Sequence, residues 1–339
     1  MPAGCFTWMR RLSRRNFMGN YLSVDCGGTK TAFLLCGERG EKKAYCVLGP
    51  ANYMVNGVKC VMDILKDGVE RVCGQAGIKR EELRSGFIAI AGFGDIPEDM
   101  PGLIRQAEEL FPGLPLTLGN DTENAMAGSL LLKQGIHVIA GTGSIGLGCG
   151  RDGVQVRSGG WHHLFGGDEG SGYWIGCRLI QHFTKQADGR EAKTGLYSYL
   201  IETFRLKNSE AVLDLVIGEW EGRREKIAAL SVHAYELAKR GDACAREIFA
   251  EASYELSLIV RSIYVRGNFD APLNISYSGG VFKAMEYLRP AFDKALSDIP
   301  HRILDPRLSP AAGGIVLALK AAGEELNEER LANLGQCGV

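Results

Sequence analysis

Twice in this chain an apolar run ends in a short turn of glycine and threonine, and that repetition constrains the fold more than any other feature. The first run, Tyr21-Leu22-Ser23-Val24, leads into Asp25-Cys26-Gly27-Gly28-Thr29-Lys30-Thr31. The second, His137-Val138-Ile139-Ala140, leads into Gly141-Thr142-Gly143-Ser144. More strand-like residues and another turn follow each: Gly37-Glu38-Arg39-Gly40 in the first case, Gly150-Arg151-Asp152-Gly153 in the second. Glycine in such turns takes positive φ at little cost and lets a backbone approach an anion closely. Successive N–H groups there form an anion-binding nest. Two nests in one chain predict two loops that close on one polyphosphate.

Bulk properties bound what those loops can serve. The chain has 339 residues, 45% hydrophobic and 23% charged, enough to build cores for two domains. A net charge of −1 provides no basic surface, so no nucleic-acid partner is expected. The 45 glycines gather at turns after apolar runs, as in loop-built ligand sites. None of the ten cysteines forms a C-x-x-C pair. They read as reduced thiols of a cytoplasmic protein, with little support for zinc or an iron–sulfur cluster within one chain. No apolar run reaches the roughly 18 residues of a membrane helix, so no membrane partner is expected. Ser13-Arg14-Arg15-Asn16-Phe17-Met18 looks like a twin-arginine export signal. Its apolar region would have to include Asp25 and the first turn, so residues 1–19 are expected to be a disordered N-terminal extension instead.

Periodicity organises the rest. Strands are expected at Tyr21–Cys26, Thr31–Cys36 and Lys43–Leu48, joined as an antiparallel meander. The helix Val58–Ala76, strand Phe87–Ala91, helix Ile104–Leu110, strand Leu114–Leu118 and helix Thr122–Leu132 follow. The pattern restarts at His137, with strands Val138–Ala140, Ile145–Cys149 and Val154–Val156. Helices are expected at Gly172–Lys185, Ala211–Glu219, Arg224–Arg240, Ala243–Val265, Val281–Leu296 and Ser309–Ala322, with a strand at Leu273–Tyr277. This order predicts a duplicated α/β architecture of two lobes, residues 20–121 plus 308–330 and residues 122–307, with ligands between them.

Several residues are candidates for chemistry, each with a structural alternative. There is no G-x-x-x-x-G-K-[ST], so a Walker loop is excluded. Gly141-Thr142-Gly143-Ser144-Ile145-Gly146 satisfies the dinucleotide pattern G-x-G-x-x-G, but a glycine-rich turn follows where a helix should open. Asp25 is either a carboxylate that positions Mg²⁺ beside phosphates or an Asx residue that caps the hairpin. Asp121, between a strand and a helix, is either a base that accepts a hydroxyl proton or an N-cap. Trp161 heads a stretch running to Gly166-Gly167-Asp168-Glu169-Gly170-Ser171. An indole beside an acid and glycines makes a sugar-binding surface; the alternative is a buried Trp and an acidic helix cap. His162 and His163 lack a metal partner at a usual spacing and read as packing residues. Ser278-Gly279-Gly280-Val281-Phe282 is a third turn, which could admit adenine and ribose.

Together these pieces resemble a known superfamily. Asp25–Thr31, Asn120-Asp121, Gly141–Ser144 and Ser278–Gly280 look like phosphate 1, the catalytic aspartate turn, phosphate 2 and the adenosine motif of actin-like ATPases and sugar kinases. Gly159-Gly160-Trp161, followed by Gly167-Asp168-Glu169-Gly170-Ser171-Gly172-Tyr173-Trp174-Ile175-Gly176, is similar to the BadF/BadG/BcrA/BcrD ATPase family, which includes N-acetylglucosamine kinases. The resemblance spans about residues 20–320 in the expected order. It implies a duplicated ribonuclease H-like, actin-like ATPase fold of two lobes with an interlobe cleft. It also implies ATP-dependent phosphorylation of an amino sugar, N-acetylglucosamine at O6, by a cytoplasmic homodimer. By this match Asp121 is the general base. Asp25, Gly27, Gly28, Thr29, Lys30, Thr142, Gly143, Gly279 and Gly280 hold ATP, with Asp25 holding Mg²⁺ through water. Asn52, Ser144, Gly160, Trp161 and Asp168 hold the sugar.

Three departures from the pattern bear on which sugar is taken. One extra glycine lies between Trp161 and Asp168, His162 stands where glycine is usual, and Ile145 replaces an asparagine. Glucosamine and N-acetylmuramic acid are the alternative substrates. A reading from another class is an ATP-driven activator of a radical CoA-dehydratase, which binds an iron–sulfur cluster between two subunits. Cys149 and Cys177 are present, but the Cys-Ala-Ala-Gly-Thr-Gly context of such activators is not.

Overall fold

The structure, a computed structural model, describes residues 19–338. The expected N-terminal extension and its Arg14-Arg15 pair lie outside the described residues, apart from Gly19. The described chain divides into two compact units: residues 19–134 with Gly153–Gln155 and residues 304–338, and Gly135–Asp152 with Val156–Ile303.

The first unit is built on β1 (Asn20–Cys26), β2 (Thr31–Cys36), β3 (Lys42–Leu48), β4 (Leu83–Ile90) and β5 (Leu116–Asn120), in the order β3-β2-β1-β4-β5. β1 runs antiparallel to β2 and parallel to β4. As the central strand it is covered on both faces, which is why Tyr21, Leu22, Val24 and Cys26 are all buried, with the small Ser23 among them. On one face lies the helix Val58–Ala76, whose Val61, Leu65, Val69 and Val72 are fully buried at helical spacing. It ends at Gly77, which takes φ +66 and returns its N–H to Cys73 O and Gly74 O. On the other face lies the helix Pro310–Ala321, with Ala312, Ile315, Val316 and Leu319 packed on Tyr21, Leu34, Phe87 and Ala89. The helix Asp121–Leu130 leans on that second helix through glycine. A Cβ on Gly313 would run into Asn124 O, and one on Gly128 would lie 2.7 Å from Ser309 O.

The second unit repeats the plan with β6 (Gly135–Ala140), β7 (Ser144–Cys149), β8 (Gln155–Gly159), β9 (Leu273–Ser278) and β10 (His301–Leu304), ordered β10-β9-β6-β7-β8. β6 is antiparallel to β7 and parallel to β9, as β1 is to β2 and β4. Its core joins Ile136 and Val138 to Ile175, Leu179, Ile248, Leu256 and Val260 of the helices Gly172–Ala187 and Ala243–Arg266. Gly146 leaves room for Ile259 on the latter helix.

Several elements differ from expectation, among them the helices Tyr53–Asn56 and Glu328–Gly335, which were not expected, and β8, which lies C-terminal to the expected Val154–Val156. The helix expected over 211–219 is a turn at Ala211–Leu213 followed by a π-helical segment, Asp214–Glu219. Trp220 N–H bonds Leu215 O, five residues back, and this wider winding delivers Trp220 to the core. The helix expected from Val281 opens as a 3₁₀ turn, Gly280–Ala284, and becomes regular at Met285–Ala295. The strand β10 and the helix Gly195–Thr203 had no sequence signal strong enough to predict them. β10 has four residues of alternating exposure, too short a run to stand out. No described helix is long and apolar enough to cross a membrane.

Candidate functional site

In the first unit, β1 carries Asp25 to the mouth of the first turn. Gly27 N–H closes the turn on Lys30 O at 2.9 Å, and Gly28, Thr29 and Lys30 project into solvent. Asp25 is not the hairpin's cap. Its Oδ1 accepts from Asn124 Nδ2 at 3.1 Å, and the same amide nitrogen bonds Val24 O at 3.1 Å. Burial pushes the Asp25 carboxyl above the usual carboxylate range, while the Asn124 bond and the Lys30 charge pull it back.

Asp121 does not cap its helix either. Asn120 does: its Oδ1 accepts from Thr122 N at 3.0 Å, and Glu123 Oε1 accepts Asn120 N–H at 3.0 Å, a complete capping box. This places Asp121 at the first helical position, half-buried, with the capping done by its neighbour. Asn52 spends its side-chain oxygen on Met54 N–H at 3.0 Å, starting the short helix Tyr53–Asn56.

In the second unit the second turn is tied to a helix start. Gly172 N–H bonds Gly141 O at 2.7 Å and Tyr173 N–H bonds Thr142 O at 3.2 Å, so the turn sits at the positive end of the helix Gly172–Ala187. The hairpins are not identical: β1–β2 leaves four residues in its turn, Gly27 to Lys30, and β6–β7 three, Gly141 to Gly143. Nor do these turns use positive φ, as expected of them. Gly27, Gly28, Gly141 and Gly143 all lie outside that region. At Gly28 and Gly141 a Cβ would meet nothing within 4 Å, so glycine there keeps space open. At Gly143 a Cβ would run into both Asp168 Oδ1 and Arg224 Nη2. In the third turn Gly279 takes φ +106 and passes so close to Ala140 O that no side chain fits, while Gly280 faces open space.

Asp168 is held on every side in this unit. It is 5% exposed and takes φ +67, left-handed for a residue with a Cβ. Oδ1 accepts Ser144 N–H at 3.1 Å and Oδ2 accepts Arg224 Nη2 at 2.6 Å. Ser144 is buried and its hydroxyl donates to Glu169 O at 2.6 Å, which holds this segment against β7. Gly159 and Gly160 at φ +74 and +73 turn the chain so that Gly160 N–H meets Ser144 O at 2.9 Å. Trp161 then emerges 71% exposed, which rules out the buried-Trp alternative. Its backbone packs on Gly167, where no side chain would fit. Ile145 lies against Gly160 and makes this wall apolar. The rings of His162 and His163 lie 4.2 Å apart and tilted by 34°, and His163 meets the Tyr173 ring edge-on at 4.8 Å.

Asn124, which holds Asp25, escaped the sequence reading, and so did Arg224 and His137. Arg224 lies 56 positions from its partner Asp168, with no motif to mark it. His137 is fully buried on β6, its ring nitrogens 2.8 Å from Ser276 Oγ and 2.9 Å from Ser278 Oγ. Burial drives its pKa down to about 3, so it is a neutral strut beneath the third turn.

The BadF/BadG/BcrA/BcrD ATPase family matches residues 22–318, nearly the whole described chain. The chain belongs to this family. A relative named N-acetylmuramic acid/N-acetylglucosamine kinase, from Clostridium acetobutylicum, is 30% identical over 300 residues, 88% of this chain and 97% of its own length. The N-acetyl-D-glucosamine kinase of Dictyostelium discoideum is 27% identical, over 89% and 98% respectively. A crystal structure from Chromobacterium violaceum, assigned as an N-acetylglucosamine kinase, superposes with a TM-score of 0.69 at 26% identity, covering 88% of this chain and 99% of that one. The fold is that of the actin-like ATPases and related sugar kinases: mixed α/β with two five-stranded sheets of matching order.

As a member of the BadF/BadG/BcrA/BcrD family the chain uses ATP. The open space over Gly28, Gly141 and Gly280 fits backbone that phosphates and ribose approach closely. Mg²⁺ takes hard oxygen ligands, and Asp25 fits it. Its carboxylate is raised by burial and bonded to a single amide, a penalty that a divalent cation relieves.

Proposed function

We propose that this ATP-dependent sugar kinase of the BadF/BadG/BcrA/BcrD family phosphorylates an amino sugar, N-acetylglucosamine at O6, in the cytoplasm. The observation that carries the sugar assignment is the pairing of an exposed indole, Trp161, with a buried, doubly bonded carboxylate, Asp168, on the same loop. The indole covers an apolar sugar face and the carboxylate accepts hydroxyl hydrogen bonds. Gly160 and Ser144 frame the loop, and Asn52 adds an amide from the first unit. The relatives' names support an amino sugar as the substrate class.

In this reading Asp121 takes the proton of the sugar O6 hydroxyl. O6 attacks the γ-phosphorus, the bond to the β–γ bridging oxygen breaks, and ADP leaves. Thr29, Lys30 and Thr142, with the backbone of Gly27, Gly28 and Gly143, position the phosphates. Gly279 and Gly280 admit the adenosine. Asp25 would hold Mg²⁺, which when bound offsets the charge that develops on the phosphates.

Asp121→Asn tests the base assignment. It keeps the size and the helix start but removes the proton acceptor. We expect kcat to fall by about 10²- to 10⁴-fold, while the sugar Kd from calorimetry stays within about twofold. Undiminished turnover in this variant would refute the role given to Asp121.

A further inference from the structure

We propose that Arg224 is a positioning residue for the sugar site, delivered to it by a seam of two glycines, Gly172 and Gly176. The proposal rests on the kinase reading in one respect: it takes Asp168 as the acid that receives the sugar.

The geometry around Asp168 defines what Arg224 is placed to do. A carboxylate buried this deeply needs a counter-charge and filled lone pairs. The Ser144 amide fills one side, and Arg224 supplies the charge on the other at 2.6 Å. The chain sacrifices other interactions for this contact. Arg224 Nε is buried without a hydrogen-bond partner. Arg224 is also the first residue of the helix Arg224–Lys239, where a cation faces the positive end of the helix dipole. Gly143 must lack a side chain, because a Cβ there would strike both members of the pair. These three costs accompany a pair whose acid is itself held buried and left-handed, so Arg224 and Asp168 are placed as a unit. Arg224 holds the Asp168 side chain in one rotamer and leaves its remaining lone pairs for sugar hydroxyls.

The seam gives a role to Gly176 of the sequence motif and a second one to Gly172, whose N–H also holds the second turn. Gly172 and Gly176 lie one turn apart on the same face of the helix Gly172–Ala187. A Cβ on Gly172 would sit 2.9 Å from Gly141 O of the second turn and 3.3 Å from both Ala228 O and Ser231 Oγ. One on Gly176 would run into Ile227 O. The two helices therefore approach backbone to backbone, which sets how far Arg224 reaches toward Asp168. A larger residue in the seam lifts the Arg224 end of its helix away from the acid.

The test uses the full chain with Arg224→Met, Arg224→Lys and Gly176→Ala. KM for the sugar, KM for ATP, kcat and the calorimetric sugar Kd are measured for each. For Arg224→Met we expect the sugar KM and Kd to rise on the order of 10- to 100-fold, with the ATP KM within about twofold of wild type. Millimolar guanidinium ion should recover part of the lost sugar affinity in that variant and do nothing to wild type. Arg224→Lys should fall between, because an ammonium keeps the charge but not the fork. Gly176→Ala should shift the sugar KM in the same direction by a smaller factor. A sugar KM within twofold of wild type in folded Arg224→Met would overturn the proposal, as would equal increases in both KM values. If Arg224→Met does not fold, a wild-type sugar KM in Arg224→Lys would overturn it equally. Failure of the kinase reading looks different: wild type itself would release no ADP with any amino sugar.

Discussion

Asp25 and Asp168 are both acids at the base of a glycine turn, and the chain treats them differently. Asp168 has a guanidinium and an amide; Asp25 has a single Asn124 amide and a carboxyl raised by burial. The folded state thus binds the Asp25 proton more tightly than the unfolded chain does. Stability falls as pH rises from the usual carboxylate range through the raised pKa. Asp25→Asn removes this penalty, so we expect it to be more stable at pH 7 by about 1 kcal/mol, roughly 2–4 °C in Tm, and at least about 100-fold less active. A lower Tm would contradict this account of Asp25. His137 has the opposite sign. Its pKa drops from 6.5 to about 3 on folding, so the stability of the neutral ring is complete above about 6.5 and is lost as pH falls toward 3. Urea midpoints between pH 7.5 and 4.5 should fall more steeply for wild type than for His137→Gln; parallel slopes would contradict the assignment. At this scale the sequence marks residues whose candidate chemistry is contiguous, as from Asp25 to Thr31, which the structure shows as one turn. Arg224 and His137 were not legible, because their partners come from distant segments.

At the level of elements, glycine sets how closely helices approach. In the first unit Gly313 and Gly314 of the helix Pro310–Ala321 meet Asn124 O and Ser23 Oγ, and a Cβ on Gly314 would lie 2.7 Å from Asn124 Oδ1. Asn124 is also the residue that holds Asp25. Gly314→Ala should therefore cost about 1–3 kcal/mol of stability and lower kcat as well, since it displaces the amide on Asp25. Thermal melts and the ADP-release rate check both effects; a destabilised variant with unaltered kcat would separate this helix from the site. The hairpins and most helices were readable from apolar spacing. The π-helical segment was not, because burial of Trp220 sets its winding rather than local periodicity. The role of glycine at the phosphate turns was also hidden: spacing cannot distinguish a glycine that needs positive φ from one that keeps space clear, and Gly28 and Gly141 are of the second kind.

Across the whole molecule, the repeated turn reports a repeated topology. Each unit places an antiparallel hairpin beside a parallel strand, β2-β1-β4 in one and β7-β6-β9 in the other. That duplication could be read from the order of motifs, since each half must supply its own turn and core. The division of roles between the halves is what the resemblance implies; the second unit holds an exposed Trp161 and a buried Asp168 bonded to the Ser144 amide. The measurement that tests the central claim most directly is ADP release by the purified full chain with ATP and Mg²⁺ across N-acetylglucosamine, glucosamine, N-acetylmuramic acid and glucose, with the product examined by ³¹P–¹H correlation. The account predicts ADP formed in step with sugar consumed, N-acetylglucosamine giving the highest kcat/KM, and phosphorus coupled to the C6 protons. ADP release indifferent to every amino sugar, or phosphate attached elsewhere on the ring, would contradict it.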